Sequence, residues 1–184
     1  MSTPVPQSQT TQSPMTKARP VDGPRQPTAR LGWWLLLGTL VLDQAHKAWM
    51  IHVWKLIPKQ RVTLTPFLDL VYVINPGISY SLLPHLGQWP LFTFALVASC
   101  VLGAWIAFAQ SPLVAGSLGL IAGGALGNAI DRLHLGGVAD FFSLHAAGFY
   151  WYVFNIADVA IVAGVAGLLY DSLIASRKNA ENAA

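Results

Sequence analysis

Between Gly123 and Asp158 the chain reads GGALGNAIDRLHLGGVADFFSLHAAGFYWYVFNIAD, which sets Asp131, Arg132, Asp140, Asn155 and Asp158 close together in a protein only 10% charged. The segments on both sides are long and apolar enough to cross a bilayer. A carboxylate near hydrocarbon costs at least about 2.5 to 3.5 kcal/mol on insertion scales, so ionisable groups at membrane depth point to a functional site. Two carboxylates held close in a poorly solvated place cannot both ionise easily; one keeps a proton while the other acts as base. Such a pair can activate water against an amide and needs no metal. Asn128, Asp131 and Arg132 are spaced i, i+3, i+4, and Asn155 and Asp158 i, i+3, so each set occupies one helical face. A neighbouring guanidinium favours the ionised form, so the Asp paired with Arg132, expected to be Asp131, makes a poor general acid. Asp140 and Asp158 remain as the pair. The same residues also suit helix caps or partners for Arg, and spacing alone leaves both readings standing.

The elements that must position them follow from hydropathy. With 184 residues, 54% hydrophobic content and seven Trp, the chain suits one compact membrane domain. Residues 1–30 are rich in Pro, Ser, Thr and Gln and read as a disordered cytoplasmic tail. Residues 31–176 hold four expected spans, at about 31–52, 86–109, 113–130 and 149–174, and residues 177–184 form a short cytoplasmic tail. The first span carries Asp43 and Lys47 at i, i+4, where side chains are neighbours and can neutralise each other. Between spans one and two, Val62 to Val73 alternates with β-branched and aromatic residues and reads as short strands ended by the turn Asn75-Pro76-Gly77. The expected fold is therefore an all-α membrane protein of four transmembrane helices with a small extracytoplasmic β-sheet on the membrane surface. Gly119, Gly123 and Gly127 recur every four residues and read as a helix-packing face.

Charge sets the orientation. The first thirty residues hold Lys17, Arg19, Arg25 and Arg30 against Asp22, so the tail carries the whole net charge of +3. That tail and the pair Arg177-Lys178 put both termini in the cytoplasm by the positive-inside rule, with Lys55, Lys59 and Arg61 opposing. Asp43, Asn128, Asp131, Arg132, Asn155 and Asp158 then gather at the outer membrane face, with Asp140 on the loop between spans three and four. So localised a basic excess reads as a topology signal and an attraction to anionic lipid, and no nucleic-acid partner is expected. The single Cys100 leaves no intrachain disulfide, and the five His form no HExxH pattern. No metal or other cofactor is expected.

These motifs resemble those of the lipoprotein signal peptidases, the bacterial type II signal peptidases, over about residues 38–165. DQAHK (Asp43 to Lys47) resembles the family's DQxxK box and NPGISYS (Asn75 to Ser81) its Asn-x-Gly box. GGALGNAIDR (Gly123 to Arg132), GVADFF (Gly137 to Phe142) and FNIAD (Phe154 to Asp158) resemble the remaining three. His46 stands where Ser or Thr is usual, and Pro76, Ile78 and Tyr80 replace the usual small and aromatic residues. The resemblance implies an intramembrane aspartyl endopeptidase of the bacterial cytoplasmic (inner) membrane. Its substrate would be a diacylglyceryl-modified prolipoprotein, cut on the amino side of the lipidated Cys. It also implies that Asp140 and Asp158 are catalytic. Asp43, Lys47, Asn75, Asn128, Asp131, Arg132 and Asn155 would order the site and bind substrate backbone or lipid ester groups. A monomer working beside membrane lipid is expected.

Other classes fit less well. A serine-type intramembrane protease needs an exposed Ser with a partner His, whereas Ser117 lies deep in the third span with no His nearby in sequence. A Gly-x-Gly-Asp protease does not match Gly136-Gly137-Val138-Ala139-Asp140. A small transporter would use Asp131 and Asp158 to line an ion path, and a non-catalytic assembly subunit rests on the glycine face alone.

Overall fold

A computed structural model describes residues 26–77 and 87–183. Most of the N-terminal tail, and Ile78, Ser79, Tyr80 and Ser81 of the second box, lie outside the described residues. In chain order the elements are α1 (Gln26–Ala48), a π-helical turn (Trp49–Val53), β1 (Arg61–Thr65), β2 (Leu68–Asn75), α2 (Trp89–Phe108), α3 (Pro112–Leu135), β3 (Val138–Ala146), β4 (Phe149–Phe154) and α4 (Ile156–Ala183).

Helix α3 is the centre of the bundle and packs against α1, α2 and α4. Its small residues permit this. A Cβ at Gly119 would collide with the Gly32 carbonyl of α1, one at Gly123 with the Leu36 carbonyl, and one at Gly124 would come 2.5 Å from the Ala157 carbonyl of α4. The packing role read for the glycine face is therefore seen at backbone-to-backbone contact. Away from these seams the bundle is apolar outside: Trp34, Phe94, Phe108, Val162 and Leu169 are exposed while Asp43, Lys47, Asn128 and Asp131 are buried. That inverted arrangement suits a lipid surround and makes the protein membrane-embedded.

Helices α2, α3 and α4 are long and apolar enough to cross a membrane. Helix α1 is of similar length, 23 residues, but Asp43, Gln44, His46 and Lys47 lower its hydropathy, and it is not among them. It also starts five residues earlier than expected, at Gln26, and α4 runs on through Arg177, so the last five residues of the expected N-terminal tail and the start of the expected C-terminal tail are helical.

The sheet is antiparallel, four-stranded, in the order β1-β2-β3-β4. The alternating stretch forms β1 and β2 as expected, with Arg61 paired to the buried Asp69 at 3.0 Å. Two expectations fail here. Phe149 to Phe154 is a strand, not the start of the last span, and Asp140 sits on β3, not on a loop. The run FYWYVF is all aromatic and β-branched, which favours a pleated surface over a helix. It joins β3 through the two-residue turn Ala147-Gly148, whose φ values of 49° and 82° match the twist of a tight hairpin.

Candidate active site

Three helix ends and one strand meet at a single end of the bundle. α1 and α3 finish there, and α4 starts there. Gly136, in the left-handed region at φ 68°, stops α3 and turns the chain into β3, which carries Asp140 opposite Val73 of β2. On β2 the neighbouring Asn75 faces Val138, and its amide donates to Asp140 Oδ2 at 3.1 Å.

Asn155 and Asp158 form a reciprocal cap at the start of α4. The Asp158 N–H donates to Asn155 Oδ1 at 3.0 Å, and the Asn155 N–H donates to Asp158 Oδ2 at 3.1 Å. The cap is also the bridge between the two aspartates. Asn155 Nδ2 donates to Asp140 Oδ1 at 2.7 Å and lies 3.0 Å from Asn128 Oδ1, while Asn128 Nδ2 donates to Asp158 Oδ1 at 2.9 Å. Capping and site-building, rival readings of the sequence, are here properties of the same residues.

Behind this layer lies an ion cluster. Lys47 Nζ is 2.8 Å from Asp43 and 2.6 Å from Asp131, all three side chains buried, and 3.3 Å from Asn128 Oδ1. The expected pairing of Asp131 with Arg132 is thus incorrect. On α3 those two side chains are consecutive and diverge by about 100° around the axis, so Asp131 turns inward to Lys47. Arg132 Nη1 instead donates to the Asn128 carbonyl at 3.1 Å, and its buried Nε has no partner among the described residues.

The two carboxylates of the cluster do parallel work. Asp43 Oδ1 accepts from the Ala157 N–H at 3.0 Å, and Asp131 Oδ2 accepts from the Ala139 N–H at 3.0 Å. Ala157 and Ala139 immediately precede Asp158 and Asp140, so one Lys-bridged pair grips the backbone beside each.

Sequence reasoning passed over two positions. Gln44 Nε2 lies 3.2 Å from Asp43 Oδ2, 3.1 Å from the Gly127 carbonyl and 3.2 Å from Asp131 Oδ1. Gly127, read only as packing, leaves room for the Asp43 carboxylate, which a Cβ would meet at 2.5 Å. The signal for Gln44 lay in the DQAHK box itself.

Asp140 is buried at 2% exposure. Burial pushes its carboxyl from 3.8 up to about 7, helped by the nearby Asp158 charge and opposed by the amides of Asn75 and Asn155 and by Lys47. A proton therefore persists there to neutral pH. Two apolar grooves open beside the layer. One of about 490 Å³ is lined by Trp151, Tyr152, Phe154, Asp158 and Val162; the other, of about 430 Å³, by Leu91, Phe94, Ile121, Asn128 and Arg132. Among the described residues no three His, Cys, Asp or Glu side chains cluster as metal ligands would.

The sequence profile of signal peptidase (SPase) II matches residues 35–174. The chain belongs to the signal peptidase II family. It is 53% identical over 136 residues to the lipoprotein signal peptidase of Beijerinckia indica, covering 72% of this chain and 81% of that one. It is 50% identical over 152 residues to that of Rhodopseudomonas palustris, covering 79% and 93%. Among solved structures, a bacterial membrane enzyme superposes with a TM-score of 0.68 at 23% identity, covering 84% of this chain and 92% of that one. That likeness carries the fold. Family membership makes the chain a peptidase.

Proposed function

We propose that Asp140 and Asp158 are the catalytic dyad of this signal peptidase II. The enzyme removes signal peptides from prolipoproteins, as its family does. In the finer reading, the substrate is a diacylglyceryl-modified prolipoprotein cut on the amino side of its lipidated Cys. The observation that carries the dyad is the amide bridge: Asn155 and Asn128 tie the buried Asp140 and the half-buried Asp158 carboxyls into one hydrogen-bonded layer.

Asp140 holds the proton, supported by its raised pKa, and Asp158 is the base. Water between them loses a proton to Asp158 as its oxygen attacks the scissile carbonyl carbon. Asp140 donates its proton to the carbonyl oxygen. Collapse of the tetrahedral intermediate returns one hydroxyl proton to Asp140 and breaks the C–N bond, and the amine leaves with the proton held by Asp158, which restores both carboxyls to their starting states. Arg132, whose Nε is unpartnered and whose side chain borders a groove, receives a substrate carbonyl or ester oxygen. The apolar groove at Asp158 takes an acyl chain or the apolar core of the signal peptide. Lys47, Asp43 and Asp131 position, and Asn75 orients Asp140. The enzyme works as a monomer in the bacterial cytoplasmic membrane, with four spans, both termini cytoplasmic and the site at the extracytoplasmic face.

The test is purified protein incubated with lipidated prolipoprotein, the new N-terminus read by mass spectrometry. Asp140→Asn and Asp158→Asn each lower the rate by several orders of magnitude with abundance unchanged, and the double variant is little worse, because the pair acts as a unit. The assignment fails if Asp140→Asn cleaves near the wild-type rate.

A further inference from the structure

His46 lies on α1 between Asp43 and Lys47, and its surroundings give it work. It follows Asp43 on α1 by three positions and faces β3. Its ring stacks on Phe142, with centroids 5.1 Å apart and planes 20° apart, and meets Phe141 edge-on at 5.6 Å. Phe141 and Phe142 are the two residues after Asp140. Phe141 is fully buried, packs with Met50, Leu56 and Leu70, and stacks on Tyr72 at 5.2 Å. Phe142 lies opposite Phe154 in the β3–β4 register, their rings 5.8 Å apart. Phe154 directly precedes Asn155, the bridge between Asp140 and Asp158. A continuous ladder of rings, His46–Phe142–Phe154, therefore runs from α1 across β3 to the cap of α4. The hydrogen bonds of the site fix the polar atoms, and this ladder fixes the strand that carries one of them.

We propose that His46 is a positioning residue: its ring, stacked on Phe142, braces β3 against α1 and so holds Asp140 in register with Asp158. The ring face, not a nitrogen, does the bracing: Nδ1 is buried and has no hydrogen-bond partner among the described residues. The inference rests on the dyad proposed above, and the experiment keeps the two apart.

Purified wild type, His46→Ala, His46→Phe and Asp140→Asn are compared on lipidated prolipoprotein under saturating and limiting substrate. His46→Ala loses about tenfold in kcat with KM little changed, the scale of an aromatic contact and of a small misplacement of a reacting group. His46→Phe restores the rate to within about twofold, because an aromatic face is what the brace needs. Phe142→Ala loses at least as much in kcat, since it also gives up the Phe154 ring, and adding it to His46→Ala costs less than the sum of the two losses, because both remove the His46–Phe142 contact. The brace is overturned if His46→Ala keeps the wild-type kcat, if His46→Phe is as slow as His46→Ala, or if the loss appears in KM alone. Cleavage by Asp140→Asn at the wild-type rate would overturn the dyad, and the brace with it; its inactivity beside an unaffected His46→Ala overturns the brace only.

Discussion

Asp140 is a carboxyl group 2% exposed, next to a second carboxylate and within reach of two amide donors. The folded protein binds its proton more tightly than the unfolded chain does. The stabilisation this gives is complete below about pH 4 and is lost as pH rises to about 7, the pKa in the folded state. Asp140→Asn has no proton to lose. Its unfolding midpoint relative to wild type should therefore climb between about pH 4 and pH 7 and level off above. A difference that stays flat with pH would remove Asp140 as the proton holder. Catalysis should follow the same group. If the protonated form of Asp140 is the acid, kcat/KM falls on the alkaline side with an apparent pKa near 7, a value belonging to the coupled pair. Asp158→Asn should abolish the rate without moving this stability profile to the same degree, since Asp140 keeps its burial.

At the scale of elements, one lysine joins three of them. Lys47 on α1 neutralises Asp43 on the same helix and Asp131 on α3, and those carboxylates hold the N–H groups that open α4 and β3. Lys47→Gln leaves two buried carboxylates facing each other without a cation, whereas Asp43→Asn or Asp131→Asn leaves Lys47 still paired. Breaking a buried pair costs about 3 to 5 kcal/mol. Lys47→Gln should therefore lower membrane abundance and the unfolding midpoint more than either Asp variant, and equal losses would contradict the shared bridge. Gly127→Ala tests the same joint from the other side: its Cβ would strike an Asp43 carboxylate tied on both oxygens, so the midpoint should fall there as well. How much of this was legible depends on sequence distance. Asp43 with Lys47 could be read from i, i+4 spacing, and the Asn155–Asp158 face from i, i+3. The Lys47–Asp131 bond joins residues 84 positions apart, which no local spacing contains, and the adjacent Arg132 offered a nearer partner. FYWYVF misled for a different reason: a short apolar run fits a strand or a span start equally well until its partner strand is known.

For the whole molecule, the question is whether α1 crosses the membrane. Its composition falls short of the three other helices, yet its two most costly residues are paired at 2.8 Å, and a paired charge is much cheaper to keep from water than a lone one. Helix directions add a second argument. α1 and α3 both end at the site and α4 begins there, so α1 runs parallel to α3 along its packed seam and over a similar length. The apolar exposure of Trp33, Trp34, Leu37 and Val41 on α1 continues the lipid-facing surface. Reporter fusions separate the possibilities. With four spans and basic ends inside, a reporter before Gln26 and one after Arg177 both lie in the cytoplasm, while one inserted at Gly148 lies outside. If α1 instead rests on the surface, three spans remain. The fusion before Gln26 then appears on the same side as Gly148, opposite the one after Arg177. That outcome would remove the fourth span, and a reversal of all three reporters would move the candidate site to the cytoplasmic face.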